Sequence, residues 1–460
     1  MNNNITGKIS LMSLVMITVV SVDSIRNLPA AAKFGPVLIT YYILAAVFFL
    51  MPCALVSAEL SGKHDCDGGI YTWVRSAFGN RAAVLAIWLQ WIGNVIWYPT
   101  ILSFAAGTIT SVINPELATN TTYMSFAIIL IFLVLTVINI RGIELSALFS
   151  TICSITGLFL PMTLIISFGI YWVLSGNNVA ITINAESLLP KFDASNSIVS
   201  LTAIMLSFSG VEIATVHAKD VDKPQQKFPK AMAYASTIIL LTLMAGSLAI
   251  AVVLPANEIN LITGIIQSLK IFFHSINQDW AVPVMALSLA IGAAGSVSNW
   301  IIAPTRGLLF AAQDGNLPRK FTTINEHNAP DYLLKLQAII VVFISLIFIY
   351  IPNINQSYWV LTVTATQLYM IMYIMMFASF LKLKYKNTND NDGFTVPFGL
   401  KGAYLVALFG IIGCLITFIV SFLLPDLGYK ISQASYNGIL LVALIFSILP
   451  PFFLYKNNKP

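Results

Sequence analysis

The chain has 460 residues, of which 58% are hydrophobic and only 9% charged, with a mean hydropathy of +0.84; a soluble domain carries roughly 25% charged residues. That balance excludes a water-covered surface, and with it the two or three soluble domains that the length would otherwise suggest. The net charge of +5 comes without a basic stripe interleaved with aromatics, which points away from nucleic acid and toward Lys and Arg as determinants of membrane topology.

Apolar segments long enough for a ~30 Å hydrocarbon core fall at about 9 to 31, 36 to 60, 82 to 112, 123 to 140, 147 to 175, 197 to 217, 231 to 255, 281 to 312, 333 to 351, 357 to 381, 402 to 424 and 435 to 455. About twelve membrane helices in one all-α domain, 1–460, are expected. The polar start Met1 to Asn4 runs into the first segment without a small-residue cleavage site, so a retained helix is expected and not a signal peptide. With the N-terminus inside, all 24 Lys and Arg residues except Arg26, Lys33, Lys191, Lys270 and Lys430 fall on the cytoplasmic side. Both termini are therefore expected to be cytoplasmic. The longest polar stretches, Ser61 to Arg81, His217 to Lys230, Asp314 to Lys335 and Lys382 to Lys401, are too short for a separate domain. Within the first, Gly68-Gly69-Ile70-Tyr71-Thr72-Trp73-Val74 reads as a turn into a short interfacial helix or an ordinary connecting loop.

A charge in the middle of a membrane helix costs about 2.5 to 3.5 kcal/mol on the insertion scale, and two segments bear that cost. The first contains Asp23-Ser24-Ile25-Arg26-Asn27-Leu28-Pro29; the sixth contains Ser207-Phe208-Ser209-Gly210-Val211-Glu212. Pro29 and Gly210 read as helix breakers, and broken backbone in a membrane is tolerated where it lines a cavity or is buried in protein. First and sixth are equivalent positions if segments one to five and six to ten are two inverted repeats of the LeuT type, with substrate between the discontinuous helices. Half-helix ends there suit the carboxylate and ammonium of an amino acid. Asp23 and Arg26, three apart, also fit a plain ion pair on one helix face, and the two readings are compatible.

Tyr369 and Tyr373 share a face of segment ten, as a gate over an organic substrate or as aromatic packing; Trp300 poses the same alternatives. Gln90 and Asn94 fit interhelical hydrogen bonding better than substrate contact. Glu59 and the His217-Ala218-Lys219-Asp220 cluster fall at helix ends, where solvated charge is expected. The four histidines are dispersed, and Cys53, Cys66, Cys153 and Cys414 form no CxxC pair. No metal, cofactor or catalytic constellation is indicated, and the cysteines are expected as free buried thiols. Without a GxxxxGK[ST] loop, transport would draw on an existing gradient.

The chain resembles the amino acid, polyamine and organocation transporters, and within them the bacterial glutamate/GABA antiporters. The resemblance rests on Gly68 to Val74, on Ser209-Gly210-Val211-Glu212 through Lys219-Asp220 to Pro229-Lys230-Ala231-Met232, and on Pro255-Ala256-Asn257-Glu258-Ile259-Asn260-Leu261. It continues through Trp300-Ile301-Ile302-Ala303-Pro304-Thr305-Arg306-Gly307, the pair Tyr369 and Tyr373, and Phe394 to Gly399. It implies a five-plus-five inverted repeat with discontinuous helices one and six, the repeats at about 9–175 and 197–384 and the extra helices at about 402–455. It also implies alternating access of an amino acid, with Trp300, Tyr369 and Tyr373 on the transport path and Glu212 in the broken sixth helix. Asp23, Ser24, Arg26, Ser209 and Gly210 complete the expected substrate site, and a bacterial inner membrane is the expected location.

Three departures stand out. Asp23 to Pro29 is not the antiporters' usual sequence. Ser296 stands where the glutamate/GABA antiporter has an acidic gate residue, which weakens the case for glutamate. The sequence runs only to Pro460, without that antiporter's longer pore-blocking tail, so pH control is expected to differ or to be absent. Exchange is the leading expectation; proton-coupled symport through Asp23 or Glu212, and a sensor or channel, are the alternatives. An enzyme is not.

Overall fold

The computed structural model describes residues 9–63, 69–141, 153, 155–190, 200–213, 215, 221, 223–351, 353–386, 394–424 and 431–456. Eleven helices among these are long and apolar enough to cross a membrane: Leu11–Ala32, Gly35–Ser61, Asn80–Ile113, Thr121–Ile140, Thr156–Leu174, Pro224–Val253, Ala281–Gln313, Asp331–Tyr350, Ile354–Lys386, Gly399–Val420 and Gln433–Leu454. The shorter apolar helix Leu201–Ile213 occupies the sixth position. Its regular α-helix, Ser200–Ser207, gives way to turns around Gly210, the break its sequence predicts, and counting it gives the twelve spans numbered in chain order below. Apart from an isolated bridge between Ile9 and Val221, no strand occurs among the described residues.

The third and tenth spans are the most enclosed: 83% of the most apolar 18-residue stretch of each is buried, against 22% for the twelfth. The third packs along both the eighth and the tenth, so these long helices form the centre and the last two spans lie at the periphery. On the fourth span Phe126, Leu130 and Val134 are exposed. They follow an i, i+4 row, the pattern of a helix face turned to hydrocarbon. The fifth and eighth spans touch backbone to backbone, where a Cβ on Gly157 would fall onto Gly292; small residues permit such approach between membrane helices.

The first span departs from its sequence reading. Its helix stops at Val22, Asp23 and Ser24 are extended, and a 3-10 turn over Ile25–Asn27 leads into a second helix, Leu28–Ala32. Pro29 therefore does not break the span. It lies in the first turn of the resumed helix, where its missing N–H costs nothing and its fixed φ is already helical.

Gly69, at φ +49, precedes the short helix Ile70–Phe78, whose Tyr71, Trp73 and Val74 are buried, so of the two readings of this stretch the helix forms and the plain loop does not. Tyr71 donates to Asp314 Oδ2 at 2.9 Å, and Arg75 pairs with the same carboxylate. Glu59 is a second correction: expected as a solvated helix-end charge, it is 2% exposed. It pairs with Lys384 of the tenth span and accepts from the Val396 amide at 2.7 Å. With Glu59 buried and Lys384 largely covered, this contact is a clasp between elements and not a surface ion pair. Cys53, Cys153 and Cys414 are free and buried. Gly68, Cys66, His64, the His217 to Asp220 cluster, the start of segment five and the basic residues Lys8, Lys191, Lys430 and Lys459 lie outside the described residues.

Candidate functional site

Because Asp23 and Ser24 are extended (φ −66, ψ 124 and φ −142, ψ 112), Asp23 and Arg26 do not share a helical face, and the i, i+3 pair of a continuous helix does not form. Their side chains go to different neighbours. Thr242 of the seventh span donates to Asp23 Oδ2 at 2.7 Å. Arg26 Nη1 donates to Thr100 Oγ1 of the third span at 2.7 Å and to Tyr358 OH of the tenth at 3.3 Å. Its guanidinium also lies 5.0 Å from the Trp97 ring centroid and 5.8 Å from that of Tyr358, a cation–π arrangement. Asp23 is 6% and Arg26 2% exposed, yet Asp23 Oδ1 and Arg26 Nε have no hydrogen-bond partner among the described residues. Buried charge is costly unless paired, so this acid and base hold unused bonding capacity.

Both face one cavity. Asp23, Ser24, Arg26, Asn94, Trp97, Ser209, Ser296, Trp300 and Tyr369 line a space of about 440 Å³ including its opening. Among the described residues, Asp23 is the only carboxylate and Arg26 the only cation on its wall. An adjoining space of about 390 Å³ shares Asp23, Ser24, Arg26 and Ser296 and continues to Phe104, Leu289 and Gly292.

The sixth span supplies the other wall. Its helix ends at Ser207, and Gly210 takes φ +109, a conformation that L side chains rarely adopt. Space excludes a side chain as well, since a Cβ there would lie 2.9 Å from the Trp300 ring. Trp300 in turn donates from Nε1 to the Ser21 carbonyl at 3.2 Å, satisfying a carbonyl near the end of the interrupted first helix. Ser209 Oγ turns back toward the Met205 carbonyl at 3.4 Å.

Behind the cavity lies a layer of neutral donors around Glu212. Gln90 Nε2 donates to its Oε1 at 3.0 Å, and Tyr373 OH donates to Oε2 at 2.6 Å. The Gly210 amide donates to the same tyrosine oxygen at 2.8 Å. Asn94 Nδ2 reaches Tyr369 OH at 2.7 Å and the Gln90 carbonyl at 2.9 Å. Gln90 and Asn94 thus join the third span to the sixth and tenth, the gluing role their spacing suggests.

Of the expected site residues, Asp23, Ser24, Arg26, Ser209, Trp300 and Tyr369 line the cavity; Gly210, Glu212 and Tyr373 stand behind it. Sequence reasoning did not single out Thr242, Thr100, Trp97 or Tyr358. Trp97 falls three residues after Asn94, on the same helical face, and Tyr358 lies eleven before Tyr369, about three turns away and again on that face. Extending those two faces would have found both. Thr242 carried no such signal.

The family model described as "Amino acid permease" matches residues 9–448. An uncharacterized transporter of Legionella pneumophila is 39% identical over 450 residues, covering 98% of this chain and 97% of its own length. A glutamate/gamma-aminobutyrate antiporter of Lactococcus lactis is 26% identical over 454 residues, 98% and 90% of the two chains. A probable agmatine/putrescine antiporter of the same species is 24% identical over 379 residues, 82% and 80%. Matched along nearly its whole length and built of apolar spanning helices interrupted at the first and sixth, the chain belongs to the amino acid permease family of membrane transporters, within the amino acid, polyamine and organocation superfamily.

Proposed function

We propose that the protein is an amino-acid antiporter working by alternating access, which binds one zwitterion at a time between the first, third, sixth, eighth and tenth spans. The observation that carries this reading is that Asp23 and Arg26 line one buried cavity without pairing to each other. The free Asp23 oxygen suits an ammonium, and the guanidinium suits a carboxylate through planar, charge-assisted hydrogen bonds. One acid balanced by one base favours a substrate with no net charge. Neutral Ser296 adds nothing to that balance, so amino acids with uncharged side chains fit better than glutamate. Exchange is supported further by two relatives that are named as antiporters.

Trp300 and Tyr369 form the gate beside the sixth-span hinge, and Glu212, held by Gln90 and Tyr373, couples that hinge to the tenth span. The two repeats run over about 9–175 and 197–384, with 402–455 as the extra helices. Both termini face the cytoplasm of a bacterial cell, with the chain in the inner membrane. A second reading, proton-coupled symport, is favoured by one observation: Glu212 has only neutral donors among the described residues, so a proton is the natural partner for its charge.

The binding claim is tested by thermal stabilisation of the detergent-purified protein. L-glutamine and GABA, each carrying both charges, are expected to raise the midpoint at millimolar concentration, while glutamine methyl ester and putrescine do not. Saturating ligand at 100 times its Kd stabilises by about 2.7 kcal/mol, well within reach of the method. Equal stabilisation by the carboxylate-free analogues would count against the paired roles of Asp23 and Arg26.

A further inference from the structure

A larger cavity lies further along the third span, away from the hinge. Counted together with the open solvent at its mouth it measures about 1090 Å³, and Ser111, Asn260, Gln267, Lys270, Asn353 and Asn355 supply its polar wall. Lys270 is its only charged group among the described residues; its ammonium donates to the Ser111 carbonyl at 3.3 Å. No described carboxylate lies within ion-pair distance of it, and Glu116, on the neighbouring short turn, is not on the cavity wall.

The amides on this wall are turned so that they offer donors. Asn260 Oδ1 accepts from the Ile262 and Thr263 amides at 2.8 and 3.1 Å. Gln267 Oε1 accepts from the Asn260 amide at 3.1 Å. Asn353 Oδ1 accepts from the Asn355 and Gln356 amides at 2.8 and 3.3 Å. A backbone N–H can donate only to oxygen, so the orientation of all three side chains is fixed by chemistry, and their NH2 groups remain as donors. Asn355 Oδ1, by contrast, has no partner among the described residues. The wall thus combines one ammonium and three amide donors with one buried, unpartnered acceptor behind them, a set that matches a carboxylate with an ammonium close behind.

Position connects it to the inner cavity. Lys270 is held at Ser111 and Arg26 at Thr100, eleven residues apart on one helix, or about 16 Å at 1.5 Å per residue. Between them Ile262 packs on Gly107, where a Cβ would come 2.6 Å from its methyl. The two cations therefore stand on either side of a closely packed apolar contact, which would have to open for a solute to pass between the cavities.

We propose that this vestibule is a separate recruiting station, in which Lys270 and the three amides hold the carboxylate of an incoming amino acid, Asn355 receives its ammonium, and the solute then passes the opened contact to Arg26. The proposal deepens the antiport reading and rests on it for the identity of the solute.

The test reads occupancy without requiring transport. Ala118, on the vestibule wall, is changed to Cys, and labelling of the detergent-solubilised protein is timed with an anionic and a cationic methanethiosulfonate, the unsubstituted protein giving the native-cysteine background. After correction for intrinsic reactivity, the anionic reagent is expected to react at least threefold faster. Lys270→Gln should remove that preference, Lys270→Arg should keep it, and millimolar L-glutamine should slow labelling severalfold only when the cation is present. In proteoliposomes Lys270→Gln should raise the KM for solute on the vestibule side severalfold with the maximal rate unchanged.

Labelling blind to reagent charge, or unaffected by glutamine, would overturn the station even if exchange is observed. A charge-selective, glutamine-protected vestibule in a protein that exchanges nothing would leave the station standing and overturn the antiport reading instead.

Discussion

Tyr373 donates to Glu212 Oε2 at 2.6 Å while accepting from the Gly210 amide at 2.8 Å, so one hydroxyl ties the tenth span to both the acid and the hinge of the sixth. Tyr373→Phe leaves the ring packing in place but strands a buried amide and one carboxylate oxygen, a loss of about 1–3 kcal/mol for each unsatisfied group. The expected result is a thermal midpoint lowered by several degrees and an exchange rate reduced at least tenfold. Circular dichroism melts and counterflow rates on the same preparation check both.

Arg26 is bound through Thr100, Tyr358 and the face of Trp97. Arg26→Lys preserves the charge but loses the planar stack and the fork of donors; exchange is expected to fall at least tenfold. Arg26→Gln should abolish it, whereas Thr100→Val, which removes one anchor and leaves the guanidinium, should cost less than either. Initial counterflow rates of the three variants give the order directly.

Glu212→Gln separates the two coupling modes. In an antiporter the amide keeps an oxygen for Tyr373, and exchange should stay within about fivefold of wild type. In a proton symporter, net uptake driven by an imposed pH gradient should disappear while exchange persists. Both fluxes are measured in the same vesicles.

Packing makes a prediction independent of the site. Gly292 touches Gly157 backbone to backbone, and Gly292→Val should force the fifth and eighth spans apart, at the ~1–3 kcal/mol typical of overpacking. Gly438, inside the last long helix and with nothing within 4 Å of an added Cβ, is the control: Gly438→Ala should leave the thermal midpoint unchanged or slightly raised, since alanine is the better helix former.

The membrane architecture was legible because its signals are long and apolar, and both interruptions were legible because polar residues are expensive there. What the sequence hid was how each interruption is made. Pro29 drew attention as a breaker, but the helix had already ended at Val22 and the proline only restarts it. The same error makes Asp23 and Arg26 look like a pair, since i, i+3 logic presumes an unbroken helix. Their actual partners, Thr242, Thr100 and Tyr358, sit on three other spans. Such contacts between distant segments have no local pattern to read. Glu59 was misjudged for a related reason: a charge near a helix end is solvated only if no other element covers it, and Lys384 and Val396 cover this one.

Counterflow in proteoliposomes tests the central claim most directly: vesicles are loaded with single unlabelled amino acids, labelled glutamine, GABA or glutamate is added outside, and the assay is repeated at pH 5.5 and 7.5. The account predicts uptake stimulated only by particular internal zwitterions, with uncharged side chains preferred over glutamate, and lost in Arg26→Gln. Uptake indifferent to the internal solute, or absent for every pair with protein that is folded by its thermal transition, would contradict it.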